Sequence, residues 1–252
     1  MTVHELCQWV HARAPFDTQE DFDNAGFLVG DPDAEVTGVL FAMDVTDKLL
    51  DEARQLSCNL LITHHPMMFH ARRRLTTEDR EGRLLMRMVQ ENMHLIAAHT
   101  NLDQAPGGIN DVLAQTLGLS EIAGEGYIRT GTLPYPMDAD TLATHLADCL
   151  HTAVRVMGHC PARTITRLGV ASGAGGDMWR ECGAIDGFVS GEIRHHEALD
   201  MNAEGIVAFE CGHFATEEPG IFALASALQT DPVALQCNLR VYQSGTGPYA
   251  MS

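Results

Sequence analysis

Asn59-Leu60-Leu61-Ile62-Thr63-His64-His65-Pro66 is the stretch that decides the architecture. A short apolar run that stops at polar, chemistry-bearing residues reads as a buried strand with a functional end. Two more stretches repeat the pattern. Leu95-Ile96-Ala97-Ala98 leads into His99-Thr100-Asn101-Leu102-Asp103, and Ile206-Val207-Ala208-Phe209 leads into Gly212-His213-Phe214-Ala215-Thr216-Glu217. In open α/β sheets ligands collect beyond the carboxyl ends of the strands. Histidines and carboxylates at three strand ends therefore suit one pocket holding one or two divalent transition metals.

Working outward, strands and helices alternate along the chain. Helices are expected over 3–12, 46–56, 79–93, 110–117, 138–150, 177–182, 195–202 and 218–228. Strands are expected over 39–43, 59–63, 94–99, 154–157, 168–172, 187–190, 206–211 and 233–241. Leu84, Leu85, Met88 and Val89 would form the apolar face of the helix over 79–93. Pro219 is read as marking a helix start, and Gly118 as a helix stop. The expected fold is α/β: two similar-sized units, 1–125 and 126–252, with mixed or largely parallel sheets covered by helices. The division near 125 is soft, and one integrated domain also fits.

Composition narrows the functions. The 252 residues suffice for a sizeable core, and 45% hydrophobic with 20% charged residues is ordinary for a globular protein. A formal charge of −18 argues against nucleic acid and anionic membrane as partners, although a bound cation would allow a small anionic ligand. Lys48 is the single lysine, so Schiff-base chemistry and a lysine phosphate loop are not expected. Seven cysteines at irregular spacing, Cys160 among them, read as reduced thiols in a cytoplasmic protein. No leader and no membrane-length apolar run is recognisable.

Each candidate residue carries an alternative. His64 and His65 would point to opposite faces if the strand continued through them. They serve one site if the chain turns at Pro66, or two neighbouring metals, or form a hydrogen-bonded core pair. His213 and Glu217 are four apart and suit one pocket, with a carboxylate able to bridge two cations; acidic residues also simply favour a helix start. Asp103 reads as a ligand or a turn former, and His99 as ligand, ligand-orienting group or proton shuttle. His196 is a second candidate acid or base, or an exposed helix-start histidine. Asp23, Asn24, Ser190 and Glu192 are candidate substrate-binding residues. Ser172-Gly173-Ala174-Gly175-Gly176 reads as an anion-binding nest or a tight turn. Cys211 adjoins Gly212-His213, which raises the question of a reactive thiol.

Together, Asp23-Asn24-Ala25-Gly26-Phe27, Thr63-His64-His65-Pro66, His99-Thr100-Asn101-Leu102-Asp103, Gly107-Gly108-Ile109-Asn110-Asp111, Ser190-Gly191-Glu192 and Gly212-His213 with Thr216-Glu217 resemble the NIF-three-like family in its short form. Its members are often named GTP cyclohydrolase I type 2 homologs. The resemblance implies a dinuclear centre of two divalent metal ions (Zn, Fe, Mn, Co or Ni). His64, His65, Asp103, His213 and Glu217 would be its ligands, with Glu217 bridging. It also implies a toroidal homohexamer. The expected function is a metal-dependent hydrolase acting on a nucleotide or related small molecule, GTP cyclohydrolase-like. His99 or His196 would move protons. The alternatives are a metal carrier or insertion factor, and a regulatory adaptor.

Overall fold

The structure is a computed structural model describing residues 1–158 and 164–247, so Cys160 lies outside the described residues. The chain divides into two compact units: Met1–Pro106 with Ile221–Ser252, and Gly107–Gly220. The chain returns to the first unit after residue 220.

In the first unit the elements run α1 (Val3–His11), β1 (Gly26–Val29), β2 (Val39–Ala42), α2 (Asp47–Gln55), β3 (Leu60–Thr63), α3 (Arg80–Gln90), β4 (His94–Ala97) and α4 (Thr100–Gln104). In the second they continue with α5 (Ile109–Thr116), β5 (Ser120–Ala123), β6 (Arg129–Met137), α6 (Ala139–Leu150), β7 (Arg155–Met157), β8 (Ile165–Ala171), a 3-10 helix (Gly175–Cys182), β9 (Gly187–Ser190), α7 (His195–Ala203) and β10 (Val207–Glu210). The chain finishes with α8 (His213–Gln229), α9 (Pro232–Gln236) and β11 (Val241–Gln243).

The first sheet has the order β1-β4-β3-β2-β11. Its four strands β4, β3, β2 and β11 are parallel, and β1 runs antiparallel on the β4 edge. Leu40, Ala42, Leu61 and Leu95 pack on Leu49, Leu50 and Ala53 of α2 and on Leu84, Leu85 and Met88 of α3. The caps explain where these helices begin. Thr46 accepts from the Leu49 amide, and Asp79 from the Gly82 amide. Val89, expected on the apolar face of α3, is instead 64% exposed; it stands one residue past Met88, a rotation of about 100° around the helix.

The second sheet, β5-β6-β8-β9-β10-β7, keeps β8, β9 and β10 parallel and its outer pairs antiparallel. Period-two alternation splits its core. Val189, Val207 and Phe209 face one cluster with Leu142 and Leu146 of α6, whereas Phe188 and Ala208 face another with Ala198 and Met201 of α7.

Three expectations fail for local reasons. The span 233–241 is not a strand: Asp231 accepts from the Val233 and Ala234 amides, and Pro232 starts α9. Asp-Pro is a helix-start signal that outweighs the β-branched content. The helix expected over 218–228 begins at His213, with Pro219 inside it rather than at its start. Strands β5 and β6 lie where no strand was expected; Pro134 and Pro136 inside β6 mask its pattern. No helix among the described residues is long and apolar enough to cross a membrane.

Candidate metal centre

Each unit gathers acids and imidazoles beyond the carboxyl ends of adjacent parallel strands, three in the first unit and two in the second. In the first unit, β2 is followed by Asp44, β3 by His64 and His65, and β4 by His99 and Asp103. The backbone stays paired past the end of β3: the His64 amide donates to Ala42 O (3.1 Å) and the His65 amide to Met43 O (3.0 Å). Chain direction then changes, and the two rings come together with centroids 5.0 Å apart. His99 closes the group, 5.1 Å from His64 and 5.5 Å from His65. One nitrogen from each of the three histidines lies within 4.8 Å of the others. The sequence-expected ligand Asp103 is 3.5 Å from His64 Nε2 and is buried in α4.

Ring orientation is the telling feature. His64 Nδ1 lies 2.9 Å from Ala98 O, and a carbonyl only accepts. That nitrogen therefore carries a proton, and Nε2 points toward Asp103. His65 Nδ1 is held by Asp44 Oδ1 at 2.9 Å, and His99 Nδ1 by Asp23 Oδ1 at 2.8 Å. Asp23 also accepts from the Thr100 amide at 3.1 Å and from the Thr100 hydroxyl. Burial alone would raise the Asp23 carboxyl. The bonds from His99 and Thr100, the His99 charge and the Asn24 amide outweigh it and bring the pKa down to about 2. Asp23 is thus a fixed anion that steers His99.

The second unit follows the same plan. The turn after β8 is laced to those after β9 and β10: Glu192 N donates to Gly173 O (2.8 Å), Gly212 N to Gly191 O (3.0 Å) and Gly173 N to Thr216 Oγ1 (3.1 Å). His213 and Glu217 lie one turn apart on α8, with Nε2 3.1 Å from the carboxylate. Glu192 Oε1 holds His213 Nδ1 at 2.9 Å. His213 thus lies between two carboxylates, Glu192 at Nδ1 and Glu217 at Nε2. Gly173 leaves room for that carboxylate, because a Cβ there would lie 2.1 Å from Glu217 Oε1.

All four histidines thus have Nδ1 on an oxygen acceptor and present Nε2. Metal-binding histidines are built this way, the outer partner fixing tautomer and direction. The donor set of imidazole nitrogens and carboxylate oxygens fits Zn, Fe, Mn, Co or Ni.

Other sequence candidates take different places. Ser190 is fully buried, its hydroxyl donating to Gly173 O at 3.4 Å. Asn24 donates to Met68 O at 2.6 Å and joins two loops. His196 is exposed at the start of α7, and the structure pairs it with Glu197 at 4.0 Å rather than with His213. Glu192 and Asp23 orient histidines. In the glycine segment, Ser172 N donates to Asn110 Oδ1 and Gly175 N to Ser172 O, so those amides close a turn instead of facing an anion. Burial pushes the Cys211 thiol up to about 12, which removes it as a nucleophile. The sequence reading missed Asp44 as the His65 partner; its position two residues beyond β2 was the available signal.

The chain matches the family model described as Duf34/NIF3 (NGG1p interacting factor 3) over residues 1–248. A Clostridium acetobutylicum protein named GTP cyclohydrolase 1 type 2 homolog is 28% identical over 99% of this chain and 98% of its own length. A Streptomyces coelicolor protein of the same name is 31% identical, over 97% and 91%. Among solved structures, the Staphylococcus aureus hypothetical protein SA1388 superposes with a TM-score of 0.91 at 26% identity, covering 100% of this chain and 99% of that one.

Proposed function

Because the chain belongs to the Duf34/NIF3 family, we propose that His64, His65, Asp103, His213 and Glu217 together bind two divalent metal ions and that the protein is a metal-dependent hydrolase of a nucleotide or related small molecule. The observation that carries this reading is the common orientation of the histidines, each with Nδ1 on an oxygen and Nε2 presented. Bound divalent cations supply Lewis acidity and acidify water for attack. The protein's own residues do the rest. Asp44 and Glu192 hold the rings of His65 and His213 in line. Glu217, with two oxygens, is suited to bridge. His99 presents Nε2 beside His64 and His65, which supports that nitrogen as the proton-transfer atom; the exposed His196 is the weaker candidate.

The relatives' shared name supports GTP as the first substrate to try, with hydrolytic opening of the purine imidazole ring and release of formate. Tag-free protein loaded with Mn, Fe or Zn should release formate from GTP. Absence of turnover of GTP and of a phosphoester panel with every one of these metals contradicts the hydrolase reading. A metal carrier is favoured by one feature, the partial exposure of His65 and His213, 25% and 28% at the side chain. Metal passing to an apo-acceptor without any turnover identifies that role. The toroidal homohexamer belongs to the same proposal and is tested by light scattering. A cytoplasmic location is supported by the free thiols of all six described cysteines.

A further inference from the structure

Isolated apolar side chains at a surface are ordinary, but a stacked aromatic pair left open beside metal-competent imidazoles is not. In the first unit Phe22 and Phe69 stack with centroids 6.2 Å apart and planes inclined by 20°. Phe22 is 62% exposed and Phe69 39%. Phe22, the more open of the two, gives up most of the free energy of burial, so the fold gains little from that ring.

The pair is nevertheless held firmly. Asn24 Nδ2 donates to Met68 O at 2.6 Å, tying the loop that carries Phe22 to the loop that carries Phe69. Asp23, the neighbour of Phe22, grips His99. Phe69 meets the same His99 ring edge to face, 5.6 Å between centroids at 79°. A few adjacent residues therefore fix both the direction of His99 and the position of the two rings.

We propose that Phe22 and Phe69 form a stacking platform for a planar heteroaromatic ring, placing a ligand's reacting end at His99 and the adjoining histidines. Aromatic faces recognise such rings through stacking and desolvation, with little dependence on the ring's edge groups. The platform would select a purine or pterin over an aliphatic sugar phosphate or peptide. Only the placement of the reacting end rests on the function proposed above.

The test is calorimetric titration of metal-loaded, full-length protein with GTP, guanosine and pterin, and with inorganic triphosphate as a probe lacking a ring. At least one ring probe should bind. Phe22→Ala and Phe69→Ala should each weaken it by about five- to a hundredfold, Phe22→Tyr should retain it, and triphosphate binding should not change. Among the described residues Phe22 stacks on Phe69 and not on a histidine ring, so its variant reads the platform even if Phe69→Ala disturbs His99. Failure of every ring probe to bind wild-type protein, or unchanged binding in Phe22→Ala, overturns the proposal. Metal content of each sample separates the two readings. Two metals with no ring binding sinks the platform alone, whereas phenylalanine-dependent ring binding without metal sinks the metal function and leaves the platform standing.

Discussion

Replacing Gly173 by alanine should weaken metal binding at His213 and Glu217. Gly173 has φ +55°, and an added Cβ would lie 2.1 Å from Glu217 Oε1, 3.1 Å from its Cδ and 3.3 Å from His213 Nε2. Ordinary contact begins at 3.4 Å, so the carboxylate oxygen must retreat by about 1.3 Å, the shortfall between those distances. Metal–ligand distances tolerate about 0.2 Å. The displaced oxygen is thus removed from any coordination sphere it belongs to. Outer partners of ligands are worth about 10–100-fold in metal affinity, and loss of a ligand should reach at least the upper end. Backbone strain is a separate cost, about 1–2 kcal/mol for an L-residue in the left-handed region. Gly118→Ala isolates it, since Gly118 has φ +73° with nothing within 4 Å of an added Cβ. Chelator competition on both variants should show metal affinity lost in Gly173→Ala and kept in Gly118→Ala, with similar falls in denaturation midpoint. Wild-type metal affinity in Gly173→Ala, or equal metal loss in both, refutes the reasoning.

Three further outcomes are expected. Asp44→Asn should weaken metal binding about 10–100-fold while leaving the melting temperature nearly unchanged, because Asp44 holds the His65 ring without being buried itself; chelator competition reads it. Asp111 pairs with the buried Arg129. Burial would raise its carboxyl, but the Arg129 hydrogen bond, the Gly107 amide and the Arg129 charge together lower it. A lowered folded pKa means the stabilisation is complete above the unfolded value near about 4 and is lost as pH falls through the folded one. Asp111→Asn should therefore cost about 3–5 kcal/mol at pH 7, and the gap to wild type in urea titrations should shrink below about pH 4; a constant gap contradicts the pairing. Burial pushes the Cys182 and Cys211 thiols up to about 12, whereas Cys237 is exposed. Under native conditions iodoacetamide should modify Cys237 and spare both buried thiols by mass spectrometry.

The parts of the fold legible in the sequence were those whose signals are local. Runs such as Leu60-Leu61-Ile62 are buried strands because both faces of a parallel sheet are covered. Thr46, Asp138 and Gly118 mark helix ends through their own hydrogen bonds or backbone angles. Local signals also misled: Pro219 sits inside α8, and two prolines disguised β6. The residue types of the site were legible at the strand ends. Their partners were not, because Asp23 reaches His99 across 76 residues and Asp44 reaches His65 across 21. No periodicity encodes such pairings; the order of strands in the sheet does. The same holds for Phe22 and Phe69, which as single residues read as unremarkable apolar positions.

The central claim is the proposed binding of a pair of cations by histidine and carboxylate side chains of this chain. Its most direct test is metal content per chain of tag-free protein, measured by elemental mass spectrometry for wild type, His65→Ala and Glu217→Gln. The account predicts close to two ions per chain in wild type and a clear loss in each variant, although one change lies after β3 and the other on α8. Wild type without bound metal, or variants that hold as much as wild type, contradicts it.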